Sequence, residues 1–367
     1  MRPAQVHLIA AARPNFMKVA PVYHALKAKD WCRPVLVHTG QHYDANMSDD
    51  FFRDLGLPKP DFHLGIGSGS HAVQTAKVMI AYEQLCLEHR PDWVVVVGDV
   101  NSTVACALVA GKLLIPVAHL EAGLRSRDRS MPEELNRIVT DALADLLWTP
   151  SPDGDENLRA EGIPADKIVR VGNVMIDAYE MQRAQIEKQG TAQKLGLTAK
   201  DYAVVTMHRP SNVDNPEMLA LIVKQLCQVA ARLPIVFPVH PRTRDRLNRA
   251  GLMDTLAGSP GVQCVDPMGY LAFMGLVKDA RMIITDSGGV QEETTYLGIP
   301  CLTLRTTTER PITVTQGTNR LVAPADLMQA MQKVLDGDWP TGTRPDFWDG
   351  RAAERVAESL RVRIQAG

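Results

Sequence analysis

Long apolar runs are missing from this chain of 367 residues. The most apolar stretch, near Trp93 and Val97, falls far short of the roughly 20 residues that cross a bilayer, so no membrane partner is expected. A secretory leader is not expected either. Residues 6–12 are apolar, but Arg13 and Lys18 interrupt them, and the segment reads as a first β-strand. No Lys/Arg block occurs and the formal net charge is −2, which gives no electrostatic footprint for nucleic acid or a membrane surface. The six cysteines are scattered, with no CxxC pair and no Cys/His cluster. Reduced, buried thiols in a cytoplasmic protein fit that pattern better than disulfides or a zinc site, and no metal is expected. Fixed-period repeats and low-complexity tracts are also lacking. The stretch Gly65-Ile66-Gly67-Ser68-Gly69-Ser70 lacks the last glycine of a dinucleotide fingerprint, a good preceding strand and the Walker lysine. It is expected to be a loop that caps a helix near Ser70, and NAD is not expected as a cofactor.

What is present is an ordinary globular balance, 45% hydrophobic and 22% charged, in a length that suits about two domains. Short β-branched runs recur at 6–10, 35–39, 94–98, 116–119, 168–171, 203–206, 235–239, 262–265, 282–285 and 301–304. They are continuously apolar, as strands buried on both faces of a parallel sheet are. Longer amphipathic segments separate them. Residues 71–89, for example, place Ala72, Ala76, Met79, Tyr82 and Cys86 at helical spacing toward a sheet. The alternation predicts an α/β chain of two doubly wound, Rossmann-like domains with five or six strands each. The first is expected over 1–172 and the second over 173–350. Residues 173–200 read as a long surface helix and a connector. A last helix within 351–367 is expected to cross back to the first domain.

Open parallel sheets bind ligands at the carboxyl ends of their strands, so polar residues just after strands are the candidates. Arg13 and Lys18 follow the first strand near a helix N-terminus, a place that suits a diphosphate, or else they are solvated residues of a capped helix. Asp99 sits at a strand tip in Gly98-Asp99, either as a helix cap or toward a ligand. Glu121, in His119-Leu120-Glu121-Ala122-Gly123-Leu124-Arg125, lies beside Asp99 if the two strands are neighbours. Glu133, in Pro132-Glu133-Glu134, opens a helix, where acidic residues often only complement the dipole. Three converging carboxylates would raise one another's pKa and keep a proton available.

In the second half, His208 follows a strand, as a structural residue or as a donor to phosphate, with Arg209 adding a second cation. His240 is read as structural. In Thr285-Asp286-Ser287-Gly288-Gly289-Val290-Gln291-Glu292-Glu293, a strand runs through glycines into a helix. The amides of Ser287, Gly288 and Gly289 suit a phosphate, and a carboxylate one turn on, Glu292 or Glu293, suits ribose hydroxyls. An ordinary tight βα turn would look the same.

Taken together with Thr307-Thr308-Glu309-Arg310-Pro311, these motifs resemble, over nearly the whole chain and in order, the non-hydrolysing UDP-N-acetylglucosamine 2-epimerase family. The resemblance implies the architecture of the B-type glycosyltransferases, a homodimer, a UDP-sugar held between the domains, and C2 inversion without metal or NAD. Arg13 and Lys18 then match the N-terminal active-site pair, Asp99, Glu121 and Glu133 the catalytic carboxylates, and His208 the essential histidine. Ser287, Gly288 and Glu293 match phosphate and ribose contacts, Phe273 the nucleoside pocket, and Arg310 a late basic residue. The chain departs from common family patterns at Ala11-Ala12, Asn15, Pro210 and Met268. The sugar therefore stays open, as does a second nucleotide-sugar site beginning at Gln41-His42. A hydrolysing epimerase, an epimerase of a modified UDP-amino sugar, a retaining glycosyltransferase and a non-catalytic sugar-nucleotide sensor are the alternatives.

Overall fold

The computed structural model describes residues 2–40, 52 and 55–366, without the side chains of Arg13, Pro14 and Ala366. It divides into two units, Met1–Met181 with Asp346–Gly367, and Gln182–Pro345. The change of unit falls inside a helix rather than at 172/173.

Unit 1 is a seven-stranded parallel sheet: β1 (Ala4–Ala10), β2 (Cys32–His38), β3 (Phe62–His63), β4 (Trp93–Val97), β5 (Val117–Leu120), β6 (Leu146–Thr149) and β7 (Ile168–Arg170). The spatial order is β3-β2-β1-β4-β5-β6-β7. Its central strands are valine-rich and covered on both faces, with Val94, Val96 and Val117 inaccessible. Four helices matter to the site: α1 (Arg13–Lys27), α2 (His71–Glu88), α3 (Asn101–Lys112) and α4 (Pro132–Leu143). Helix α3 is apolar nearly all round and small-sided, with Ala105, Cys106 and Ala107 fully buried, so it sinks between α2 and α4. Ser70 caps α2 through its hydroxyl, which accepts from the Val73 amide. The stripe that α2 buries is Gln74, Val78, Tyr82, Leu85 and Cys86. Ala72 and Ala76, expected to face the sheet, are exposed instead, because this helix carries apolar residues on both faces.

Helix α5 (Val174–Gln189) carries the chain from unit 1 into unit 2. It is not a surface helix: Val174, Ile176, Ala178, Tyr179 and Ile186 are buried. Its Asp177 carboxylate accepts from the amides of Ala352 (3.1 Å) and Ala353 (2.7 Å), the first residues of the final helix. That helix packs on α1 within unit 1, and its Ser359 accepts from Trp148 Nε1 at 3.1 Å.

Unit 2 repeats the plan with six parallel strands: β8 (Ala203–Thr206), β9 (Ile235–Pro238), β10 (Val262–Val265), β11 (Met282–Thr285), β12 (Cys301–Thr303) and β13 (Asn319–Leu321), ordered β10-β9-β8-β11-β12-β13. Helices Pro216–Ala230 and Leu327–Leu335 close one face with Leu219, Ile222, Leu226, Leu327 and Met331. The two Rossmann-like doubly wound sheets are those expected. Three strands went unrecognised: β3, β6 and β13, two of them only two or three residues long. The first, two residues long, precedes the Gly65 loop. Among the described residues, no helix is long and apolar enough to cross a membrane.

Candidate active site

Each sheet has one place where the strand order reverses. In unit 1 it lies between β1 and β4, in unit 2 between β8 and β11. Chains leaving such a pair turn to opposite faces and open a crevice at the strand ends. The candidate residues of each unit gather at these two places.

At the first, Asn15 on α1 donates from its side chain to the Val97 carbonyl at 3.1 Å, pinning the turn after β4 to the helix after β1. Lys18, one turn on, forms an ion pair with Glu121 Oε2 at the tip of the neighbouring β5. Both side chains are nearly buried, 12% and 5% exposed. Glu121 holds a left-handed backbone with φ +70°, strained for a glutamate and of the kind that collects at working sites. Gly98 gives this pair room: a Cβ there would stand 3.4 Å from both Glu121 Oε2 and Lys18 Nζ. The other Glu121 oxygen, Oε1, is buried and has no hydrogen-bond partner among the described residues. Buried carboxylate oxygens are ordinarily satisfied, so this one has capacity left for a partner beyond the described residues.

Asp99 follows Gly98 and is bound by Arg137 from α4 at 2.5 Å. Asn136 donates to the Asp99 carbonyl at 2.8 Å. Arg137 also holds Glu134 at 2.8 Å, and Glu134 accepts from the amides of Ser126 and Arg127. Burial would raise the Glu134 carboxyl, but those two amides and Arg137 outweigh it and hold the pKa below the ordinary range. Glu134 is therefore the brace of the loop, while Glu133, half-buried, lies one turn before Asn136 and Arg137 on the same side of α4. The unopposed carboxylate repulsion expected from the sequence is not what the fold builds, since Lys18 answers Glu121 and Arg137 answers Asp99. Beneath them His119 bridges Asp141 (2.6 Å) and the Gly98 carbonyl (2.8 Å), fixing the strand tip from behind.

At the second reversal, His208 follows β8 and Asp286 follows β11. His208 Nδ1 lies 3.0 Å from Asp286 Oδ1, which fixes the proton on Nδ1 and turns Nε2 outward on a side chain 41% exposed. Asp286 also accepts from the amides of His208 and Arg209 and from Asn212. Burial pushes its pKa up, but His208 and those amides win and keep it ionised below the ordinary carboxylate range. His240 is 5.7 Å away, ring to ring, and its own Nδ1 accepts from the Arg242 amide as a helix cap, which agrees with a structural role.

Ser287 begins the ten-residue helix Gly288–Leu297, and its hydroxyl caps nothing. The amides of Gly288, Gly289 and Val290 are the helix's orphan donors, with the positive end of its dipole behind them. Gly289 opens on space, whereas a Cβ on Gly288 would meet Arg310 Nη1 at 2.6 Å and Glu309 Oε1 at 2.7 Å. Arg310 is held by Glu292 (2.9 Å) and Glu309 (2.5 Å), and Glu309 also meets Arg305 (2.8 Å) and Arg209 (3.8 Å). Three guanidiniums thus stand against two carboxylates beside an anion-favouring helix end. Glu293 is buried, and burial raises its pKa to about 8, the hydrogen bond from Tyr270 pulling down and the charge of Glu292 pushing up. Phe273 is half-buried on the helix Tyr270–Val277, the same helix that carries Tyr270.

The fold therefore brings Lys18, Asp99 and Glu121 together, with Glu133 on the adjoining helix, and separately His208, Arg209, Ser287, Gly288, Gly289, Glu293 and Arg310. Lys18 pairs with Glu121 inside the acidic cluster, and Arg310 is clamped by two glutamates. The Arg13 side chain and Gln41-His42 lie outside the described residues. Asn15, Asn136, Arg137 and Asp286 were not singled out as site residues. The strand-end position of Asp286 was the available signal, whereas Arg137 shows itself only once α4 is packed against α3 and β5. Among the described residues, no group of three His, Cys, Asp or Glu side chains is placed to hold a metal ion.

Residues 24–361 match the protein family described as UDP-N-acetylglucosamine 2-epimerase. A Methanocaldococcus jannaschii protein of that name is 41% identical, over 97% of this chain and 98% of its own length. A Pseudomonas aeruginosa protein named UDP-2,3-diacetamido-2,3-dideoxy-D-glucuronate 2-epimerase is also 41% identical, over 96% and 98%. The crystal structure of the M. jannaschii UDP-GlcNAc 2-epimerase in complex with UDP-GlcNAc and UDP superposes with a TM-score of 0.88, covering 98% of this chain and 99% of that one.

Proposed function

Because this chain belongs to the UDP-N-acetylglucosamine 2-epimerase family, we propose that it interconverts UDP-N-acetylglucosamine and UDP-N-acetylmannosamine by expelling UDP and adding it back. The hydrogen on C2 of an amino sugar is not acidic, since no carbonyl is attached to that carbon. Stretching the anomeric C1–O bond first gives C1 positive character and acidifies C2. A carboxylate then takes the C2 proton, the C–H pair becomes the C1=C2 bond of 2-acetamidoglucal, and the C1–O pair leaves with UDP. Return of UDP to C1 with a proton delivered to the other face of C2 completes the inversion. Both sugars stand at one oxidation level, so the sequence of steps asks for no redox cofactor.

The observation that carries this reading is Glu121: buried, strained, tied through one oxygen to Lys18, its other oxygen without a hydrogen-bond partner among the described residues at the strand reversal. Asp99 and Glu133 supply the second carboxyl position that opposite-face delivery needs. Leaving-group charge falls to His208 Nε2, Arg209, Arg310 and the Ser287–Gly289 amides, whose dipoles are in place before the bond breaks. Glu293 receives the ribose and Phe273 the base. Arg13 enters by resemblance alone. In this reading the chain works in the cytoplasm as a homodimer.

The test is incubation with UDP-N-acetylglucosamine and identification of products by NMR. UDP-N-acetylmannosamine at equilibrium with substrate is the expected result. Free N-acetylmannosamine with UDP would make the enzyme a hydrolysing epimerase, and UDP release only with an added acceptor would make it a glycosyltransferase. The P. aeruginosa relative favours a second reading, a diacetamido uronic acid as the sugar. Comparing kcat/KM on the two UDP-sugars separates them.

A further inference from the structure

Asp141 of α4 is buried behind the strand tips of unit 1, and the proposed reaction gives it no task. Its Oδ1 lies 2.6 Å from His119 Nδ1. Its Oδ2 accepts from the Gly123 amide at 3.1 Å and from Arg125 Nη1 at 2.7 Å. Arg125 is held in turn by Glu161 at 2.6 Å and donates to the Leu124 carbonyl at 2.8 Å. One carboxylate therefore ties down the chain on both sides of Glu121. Within this span lie two left-handed residues, Glu121 at φ +70° and Gly123 at φ +79°. A strained glutamate backbone persists only where its surroundings over-determine it, and the three bonds to Asp141 do so here.

What His119 faces decides where its hydrogens are. Nε2 lies 2.8 Å from the Gly98 carbonyl, which can only accept. Nδ1 faces Asp141, whose carboxyl burial pushes up, while His119 and Arg125 outweigh that and hold it below the ordinary carboxylate range. An ionised carboxylate, already accepting through its other oxygen, can only accept here as well. A neutral imidazole would turn a lone pair on one of these two acceptors, so each ring nitrogen must bring a hydrogen. The ring is fully buried, a place where a charge is kept only when it is paired and bonded throughout. Both conditions are met. The carbonyl it holds belongs to the peptide that leads into Asp99. On one side of that peptide the Gly98 amide donates to the Leu120 carbonyl at 3.0 Å, and on the other Asn136 donates to the Asp99 carbonyl at 2.8 Å.

We propose that His119 is a buried, doubly protonated strut, and that it and Asp141 are positioning residues for the two carboxylates of the strand tips. His119 sets Asp99 through the Gly98–Asp99 peptide. Asp141 sets Glu121 by holding the chain before and after it. Glu134, Arg137 and Asp141 follow one another at helical spacing, so a single face of α4 braces the loop, binds Asp99 and anchors Glu121. The part played by Asp99 and Glu121 in proton transfer rests on the function proposed above; the hydrogens on His119 do not.

Neutron diffraction from crystals of the deuterated wild-type protein at neutral pH tests the strut. Deuterium is expected on both His119 nitrogens and on neither Asp141 oxygen. A bare His119 nitrogen, or deuterium on Asp141, overturns the proposal. Kinetics test the positioning, with circular dichroism to verify folding. His119→Gln donates from a single atom and cannot reach both acceptors. Asp141→Asn turns an amide NH2 on His119 or on the donors of Gly123 and Arg125. Each is expected to lower kcat about 10²-fold, the scale of a small misplacement of reacting groups. KM and the Kd for UDP are expected to stay within a few-fold of wild type. A folded variant with wild-type kcat overturns the proposal, as does a loss of UDP affinity as large as the loss of kcat. Should neither variant fold, the diffraction result on the wild type decides. A wild type that epimerises nothing counts against the proposed reaction and not against the strut, which diffraction reads without turnover.

Discussion

Glu121 concentrates the energetic argument into one side chain. Its positive φ costs on the order of 1–3 kcal/mol, and a buried oxygen with no hydrogen bond among the described residues costs a similar amount. Stability alone gives no reason to keep either. Glu121→Gln keeps the shape and removes the charge, so it is expected to lower kcat by about 10²–10⁴, and to lower the melting temperature because the nearly buried Lys18 loses its counter-ion. Steady-state kinetics beside scanning fluorimetry checks both. His208→Ala is expected to cost about 10²–10³ in kcat by removing a donor to the departing diphosphate. At Glu293 the sign of the pH effect follows from linkage. A carboxyl whose pKa is about 8 in the folded chain and near 4.5 unfolded keeps its proton longer when folded. Stability is therefore lost as pH rises from about 4.5 through 8. Glu293→Gln should flatten the melting temperature across that window while weakening UDP binding; a wild-type melting temperature that climbs from pH 6 to 8 with no difference in the variant would refute the assignment. At this scale the sequence was readable wherever a polar residue follows a strand, as with Asp99, Glu121 and His208. It was unreadable where packing decides partners: nothing local says that Lys18 reaches Glu121, or that two glutamates clamp Arg310.

Elements show the same division. Continuous β-branched runs such as Val94–Val97 announced buried parallel strands because nothing else in the sequence looks like them. The short strands β3 and β13 take their conformation from the neighbouring ladder, so no local pattern marks them. Helix α2 misled for a specific reason: apolar residues on both faces leave its buried stripe undetermined by periodicity. Turns carry their own constraints. Gly123 has φ +79°, and a Cβ there would fall 2.3 Å from the Gly154 carbonyl oxygen, a backbone atom that cannot step aside. Gly123→Ala is expected to cost about 2–5 kcal/mol from strain and overpacking together, seen as a fall of roughly 10 °C in melting temperature. The Asp177 cap is a milder case. Burial lifts its pKa to about 6, against the pull of the Ala352 and Ala353 amides that it receives. Asp177→Ala should cost about 1 kcal/mol through the lost cap, with the final helix exchanging its amide hydrogens faster than the rest of unit 1.

For the molecule as a whole, the informative feature is that one topology occurs twice, each time with its candidate residues at the strand reversal. The alternation of strand and helix made two doubly wound units legible from sequence, and the strand-end rule then located both sets of residues without any contact being known. The sequence did not tell which carboxylates were paired with cations, because α1 and α4 bring Lys18 and Arg137 to them only through packing. The proposal assigns proton movement to residues of unit 1 and the departing anion to residues of unit 2. The central claim is that the C2–H bond breaks as UDP leaves. It is tested most directly by running the reaction on UDP-N-acetylglucosamine in D2O and following C2 by NMR. The account predicts that the epimerised product carries deuterium at C2 and that Glu121→Gln incorporates none above background. Epimerised product retaining the original C2 hydrogen would contradict it.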